Sequence, residues 1–157
     1  MIRHFVAIDQ KYGMAKNGGQ PWNIPEDSQY FSDLTKSHGG ITLTGMTTFK
    51  TFAHPLSGRQ NFILTHQTEP IEGATLVHDL DKFFAETTGD VWAIGGAAVF
   101  EQTLAKADEL YVTRIAADFG CDQFYPHFED NFTLKSQSEV REQNGFRFQY
   151  EIYAHNS

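Results

Sequence analysis

"DVWAIGGAAVFEQTLAKADELYVTRIAA", residues 90–117, decides how the chain folds. Val91 to Ile94 is a short apolar run of the kind buried in the middle of a sheet. It runs into Gly95 and Gly96, after which Ala97 to Ala107 reads as an amphipathic helix. Glu109 to Ala117 is β-rich and reads as the next strand. The same alternation holds upstream. Ile2 to Ile8 is a mostly apolar strand, and Glu26 to Ser37 reads as a helix. "ITLTG" (41–45) is a strand leading into a helical turn or two at "MTTFKTF" (46–52). "NFILT" (61–65) and "ATLV" (74–77) are further strands, and "DLDKFFAET" (79–87) is a helix with Asp79 as its N-cap. The tail from about Thr133 to Tyr153 reads as an antiparallel hairpin turning at Asn144-Gly145. Strands alternating with helices before a terminal hairpin predict an α/β fold. The central sheet is mostly parallel with flanking helices and an antiparallel edge, in a single domain over 1–157.

A chain of 157 residues with 14 Phe, 6 Tyr and 2 Trp has bulky side chains enough for a core. Twenty acidic residues against 12 basic ones leave a net charge of −8, which argues against nucleic acid and anionic membranes as partners. The lone cysteine, Cys121, rules out an internal disulfide framework and fits a reducing compartment. The seven histidines form no HxH, HxxxH or HExxH pattern, so no metal is expected, and most of them are expected on the surface. The N-terminal apolar run is too short for a signal peptide, and a cytoplasmic, soluble protein is the expectation. "DQKYGMAKNGGQPW" (9–22) is a long connection with three glycines and little periodicity; loops of this length are functional lids or disordered.

Two strand-to-helix junctions, "TLTGMTTF" (42–49) and "AIGGAAVFEQ" (93–102), place glycines where a backbone can approach a ligand. The helix starts there offer free N–H groups to a phosphate. Each is a weak signal alone; together they suggest a pyrophosphate, though without the GxGxxG fingerprint. In "IPEDSQYF" (24–31), Pro25 suits a first helical turn, and Glu26 and Asp27 meet the positive end of the helix dipole. At helical spacing, however, Asp27 shares its face with Tyr30 and Phe31. Either a capping charge or a buried acid would fit. Taken singly, Arg59 reads as a solvated loop arginine, Thr113 as a β-former and Trp22 as a core anchor.

Read together, these segments resemble the dihydrofolate reductases over nearly the whole chain. "FVAIDQKYGMAKNGGQPWNIPEDSQYF" (5–31) is similar to the family's first strand, mobile loop, Pro-Trp pair and acidic helix start. "TGMTTFKTF", "PLSGRQNFILTH", "IGGAAVFEQ" and "LYVTRI" follow in order. The resemblance implies reduction of 7,8-dihydrofolate by NADPH, with antifolates as further ligands, in a monomer.

The resemblance also implies roles. Asp27 would pair with the pterin's 2-amino group and N3, its pKa raised by burial, with Thr113 bonded to it and Trp22 ordering water nearby. Phe5, Val6, Ala7 and Ile94 would frame the pterin. Phe31, Phe52 and Leu56 would wrap the aminobenzoyl ring, and Arg59 would clamp the tail carboxylate with its planar fork. Ala7 and the loop residues Met14, Ala15, Asn17, Gly18 and Gly19 would cover the nicotinamide. Gly45, Met46, Thr47 and Thr48, then Leu64, Thr65 and His66, would hold the rest of the cofactor, with His78 near the adenine. Gly95, Gly96, Ala97, Ala98, Val99, Phe100 and Gln102 would complete that site.

The chain departs from the family pattern at Ser28, where a large apolar residue is common. It departs again at Phe100, where tyrosine is frequent, and at Ala97, which replaces a third glycine. Met46 and Ala98 leave the expected 2′-phosphate region without its usual basic residue. A related pyrimidine reductase of riboflavin biosynthesis would share the cofactor glycines but not need Trp22 and Asp27. A catalytically silent nucleotide-binding module would not need a buried acid.

Overall fold

A computed structural model of the chain describes residues 1–37 and 39–157. In chain order the elements are β1 (Ile2–Ile8), β2 (Gly13–Ala15), α1 (Pro25–Ser37), β3 (Ile41–Gly45) and α2 (Met46–Phe49). Next come β4 (Gln60–Leu64), β5 (Ala74–Val77), α3 (Leu80–Glu86), β6 (Val91–Ala93) and α4 (Ala97–Thr103), which ends in a 3₁₀ turn at Leu104–Lys106. The chain closes with β7 (Glu109–Ile115), β8 (Gln123–Phe124), β9 (Phe132–Gln137), β10 (Arg141–Gln143) and β11 (Phe146–His155).

The main sheet runs β10-β11-β7-β1-β6-β3-β4-β5, with β9 also on β11. Pairings from β7 through β5 are parallel and those made by β11 are antiparallel. The expected α/β architecture holds. β1 lies at the centre because six of its seven residues are buried, which only a strand covered on both faces tolerates. β6 returns to insert between β1 and β3, so the chain reverses direction across the sheet there. In open α/β sheets such a switch leaves a crevice at the carboxyl ends of the strands.

Two capping and turn signals act as read. Asp79 accepts a hydrogen bond from the Lys82 N–H at the start of α3 (3.2 Å). Asn144 (φ 54°) and Gly145 (φ 81°) are both left-handed, the twist a two-residue hairpin needs. The hairpin's first arm is not continuous, however. β10 pairs with Phe146–Phe148 and β9 with Glu151–His155, while Ser138 bridges the break by accepting at Oγ from Tyr150 N–H (3.0 Å).

The connection at 9–22 is not structureless as expected. Lys16 and Gly19 exchange backbone hydrogen bonds (2.8 and 3.1 Å) around Asn17 (φ 52°) and Gly18 (φ 85°), and β2 pairs with β8. The buried Asp9 carboxylate ties down the base of this loop. Its Oδ1 accepts from Lys11 N–H (2.9 Å) and Gly13 N–H (2.8 Å), and its Oδ2 from Phe119 N–H (3.1 Å). Five of the described histidines are exposed, as expected of most of them, while His4 is fully buried in β1. Among the described residues, no helix is long and apolar enough to cross a membrane.

Gly13 is where the loop meets the 119–124 segment most closely. A Cβ there would lie 2.5 Å from Cys121 Cβ and 2.8 Å from Asp9 Oδ2. Gly13→Ala should therefore push β2 off β8 and destabilise the protein by about 1–3 kcal/mol, the usual cost of overpacking. Urea denaturation checks this, and an unchanged midpoint would mean that the junction yields freely.

Candidate active site

α1 starts where Pro25 supplies a preset φ, and its first turn carries two carboxylates in opposite circumstances. Glu26 faces Arg141, whose Nη2 donates to it at 2.9 Å, and it also accepts from the Tyr150 hydroxyl at 2.9 Å. The hydrogen bond from Arg141 holds its pKa below the ordinary range. Asp27 is 8 % exposed and receives one side-chain hydrogen bond, from Thr113 Oγ1 to its Oδ1 at 2.7 Å. Burial pushes Asp27 up to about 6; the Thr113 hydrogen bond opposes the shift and the neighbouring charge of Glu26 adds to it. One carboxylate is committed to its charge. The other is poised near neutrality, the pattern of an acid with a ligand to meet.

Asp27 opens onto a cavity of about 420 Å³ at the carboxyl ends of β1 and β6. Phe5, Val6 and Ala7 of β1 form one wall, with Ile94, Gly95, Gly96 and Phe100 beside them. Phe31 and Phe52 close the outer end, and Met14, Ala15, Gly18 and Gly19 cover the top. Ser28, one helical residue on from Asp27, lines the cavity as well. Phe5 and Phe31 meet edge to face at 5.1 Å, so the apolar wall and the α1 face are one surface.

A second cavity of about 620 Å³ lies alongside. Gly45 and Met46 line it from the β3–α2 junction, and Leu64, Thr65, His66 and His78 from β4, β5 and the turns after them. Ala97, Ala98, Val99 and Gln102 of α4 complete it. The two cavities share Thr47, Thr48, Gly96 and Gln123, so together they form one bent groove. The crossing point is narrow. A Cβ on Gly96 would lie 3.0 Å from Thr48 Oγ1, so the glycine leaves the groove open there.

Five residues singled out in the sequence lie outside the cavity lining. Thr113 acts from behind Asp27. Trp22 is buried against Phe119 (5.2 Å), and its Nε1–H has no hydrogen-bond partner among the described residues. Asn17 turns its N–H to the Asp122 carboxylate (3.0 Å). Leu56 sits in a turn held by Asn61, whose side chain bonds both its N–H and its carbonyl at 3.0 Å. Arg59 stands over the Phe31 ring at 5.7 Å and donates from Nη1 to Thr35 Oγ1 (3.0 Å) and from Nε to Ser57 O (3.0 Å). Among the described residues it has no carboxylate partner.

The sequence reading missed Gln20, Thr51, Leu80 and Gln123, all of which line the groove. Thr51 follows Thr47 at helical spacing and could have been found that way. Gln123 could not, since its segment reaches the groove only through the β2–β8 pairing. Among the described residues, no group of three His, Cys, Asp or Glu side chains could hold a metal.

The model of the family described as "Dihydrofolate reductase" matches residues 1–155. The dihydrofolate reductase of Bacillus subtilis is 31% identical over 159 aligned positions, covering 98% of this chain and 94% of that one. That of Drosophila melanogaster is 29% identical, covering 94% and 93%. The structure of dihydrofolate reductase from Enterococcus faecalis complexed with NADP(H) and RAB-propyl superposes with a TM-score of 0.87 at 27% identity, covering 100% of this chain and 97% of that one. With its fold, its buried Asp27 and its bent groove, the chain belongs to the dihydrofolate reductase family.

Proposed function

We infer that this chain reduces 7,8-dihydrofolate to tetrahydrofolate with NADPH. The observation that carries the reading is Asp27: a buried acid with Thr113 as its side-chain donor, opening onto an aromatic-walled cavity. A flat heterocycle presenting two parallel N–H groups would satisfy both oxygens and fix its own orientation. The groove fits the cofactor, since Gly96 leaves room between the two cavities for a long ligand to pass. When bound, the nicotinamide supplies the hydride.

The chain's own residues do the rest. Asp27 holds the pterin and favours its protonated form as N5 gains a proton. Thr113 steadies the carboxylate, and the unpartnered Trp22 Nε1–H suits an ordered water. Met14 to Gly19 exclude bulk water from above. Arg59, already fixed on Phe31, presents its remaining N–H groups to the tail carboxylate. We take the unit to be a single domain over 1–157, a cytoplasmic monomer whose partners are dihydrofolate and antifolates. Its net charge of −8 disfavours nucleic acid and anionic membranes. The test of the reading is loss of NADPH absorbance on adding dihydrofolate, blocked by an antifolate; no turnover would overturn it.

Asp27→Asn should remove most activity at neutral pH while NADPH binding stays nearly intact. It should also stabilise the fold. A carboxyl at about 6 in the folded state, against about 3.9 unfolded, binds more protons folded, so stability falls as pH rises through that window. The amide escapes this loss, by on the order of 3 kcal/mol at pH 7. A variant that is inactive but no more resistant to urea would contradict the burial argument.

Arg59→Lys should raise KM for dihydrofolate more than it lowers kcat, because the tail contact is far from the hydride and acts as uniform binding. A pteridine lacking the glutamate tail should hardly notice the change. Equal losses on both substrates would remove Arg59 from the tail site.

Cofactor choice should rest on imidazoles rather than on a fixed cation. Among the described residues lining the second cavity there is no Lys or Arg, and the titratable side chains are His66 and His78. His78 Nδ1 lies 2.8 Å from the Thr65 carbonyl, which only accepts, so Nδ1 carries the hydrogen. Neutral His78 then keeps a lone pair at Nε2, and protonation turns Nε2 into a donor. The preference for NADPH over NADH, read as a ratio of dissociation constants, should rise on Met46→Arg, which supplies the cation the cavity lacks. A ratio that survives joint replacement of His66 and His78 by Ala would show that another group holds the 2′-phosphate.

A further inference from the structure

His4 is the one fully buried imidazole among the described residues, and the site described above does not use it. It lies in β1, opposite Ala93 of β6 and Leu110 of β7, one residue before the cavity-lining run that starts at Phe5. Its Nδ1 is 2.8 Å from the Tyr125 hydroxyl and its Nε2 is 2.7 Å from Thr103 Oγ1. Thr103 settles which nitrogen carries the proton. Its single hydroxyl hydrogen goes to the Val99 carbonyl at 2.7 Å, because a carbonyl can only accept. Thr103 Oγ1 must therefore accept from His4 Nε2–H, which leaves Nδ1 bare to accept from Tyr125. The result is a one-way chain: Tyr125 O–H to His4, His4 N–H to Thr103, Thr103 O–H to Val99. Every polar atom is satisfied only while the ring is neutral. Burial agrees, pushing His4 down to about 3.

The chain joins three segments, and each lines the reaction cavity. β1 brings Phe5 to Ala7, α4 follows Gly95-Gly96, and Tyr125 follows Gln123 of β8. Phe100 sits among them, its ring centroid 5.0 Å from His4 and 5.0 Å from Tyr125. Phe100 Cε2 also lies 3.4 Å from where a Gly95 Cβ would be. The ring is gripped by the polar chain and itself backs the glycine wall. Apolar side chains could fill the same space, but they would not set the direction of contact.

Resting on the reductase reading, we propose that His4 is a positioning residue for hydride transfer, holding Phe100 and the Gly95-Gly96 wall in place through a directed, neutral hydrogen-bond chain. Misplacement of a wall by a fraction of an ångström costs rate more than affinity.

The test combines variants with a spectroscopic readout. In the wild-type protein, ¹⁵N NMR of His4 should show Nε2 protonated and Nδ1 bare at pH 7, and NADPH binding should shift both signals. His4→Leu should lower the single-turnover hydride-transfer rate about tenfold while the NADPH dissociation constant moves less than about threefold. It should also lower Tm, since Tyr125 loses its acceptor. Tyr125→Phe, a gentler change, should lower the hydride-transfer rate less. The combined His4→Leu, Tyr125→Phe, Thr103→Val variant removes the whole chain, leaving none of its side chains unsatisfied, and should recover most of the lost Tm but not the rate. Recovery of rate together with Tm would overturn the proposal, since packing alone would then suffice. So would an Nδ1–H tautomer, or full-speed hydride transfer in both His4→Leu and Tyr125→Phe. An inactive wild-type protein would instead overturn the reductase reading and the proposal with it, while an active wild type with indifferent variants overturns the proposal alone.

Discussion

A carboxylate taken out of water with one hydroxyl to receive it is the constraint around which this molecule is built. Asp27 sits at a helix start, where a charge is normally welcome, yet it is buried and lines the same cavity as Phe5 and Phe31. The fold supplies the Thr113 hydroxyl, 86 residues away in sequence, and little else. That shortfall makes the site useful. A fully satisfied carboxylate, such as Glu26 under Arg141 and Tyr150, has no capacity left for a ligand. Asp27 keeps an unmet demand for hydrogen-bond donors and charge, and a protonated heterocycle would meet both at once.

Holding that arrangement requires a rigid frame, and β1 is its centre. Arg3 is locked between Asp90 (2.6 Å) and Glu109 (2.8 Å), His4 is bonded on both sides, and Phe5 to Ala7 face the cavity. Consecutive residues of one strand thus serve an ion-pair network, a neutral polar chain and the ligand wall. Above the cavity the cover runs from the buried Met14 to the exposed Gly18 and Gly19. It is tied at its base by Asp9, and Gly13 lets it lie close to the Cys121 segment. Beyond Asp9, the cover is held by the pairing of β2 with β8 and by Asn17 N–H on the Asp122 carboxylate, and Met14 anchors it in the core.

The parallel strands were legible because burial on both faces makes them short apolar runs, and glycines mark where they end. Asn144-Gly145 and Asp79 were legible because turn and cap chemistry is local. Pairings between distant short segments were not. β2 and β8 are three and two residues long, too short for any periodicity, although Asn17-Gly18 was a turn signal in plain view. His4 was not singled out among the histidines, because an apolar strand gives no sign that Thr103 and Tyr125 will meet it. Asp27 was half legible. Its aromatic neighbours at helical spacing raised the question of burial, but Thr113 enters only through the order of strands. Arg59 stands outside the cavity lining, over the Phe31 ring, which spacing alone does not reveal. Gln123 reaches the groove from a segment whose sequence carries no marker for it.

The fold leaves Asp27 uncharged in mild acid, and a pterin-like ligand should restore its charge. Difference infrared spectroscopy at about pH 5, with Asp27→Asn as reference, reads this directly. The free protein should show a protonated carboxylic acid assignable to Asp27. Adding a 2,4-diaminopteridine should convert that band to an ionised carboxylate. A band already ionised in the free protein, or one that ignores the ligand, would contradict the account.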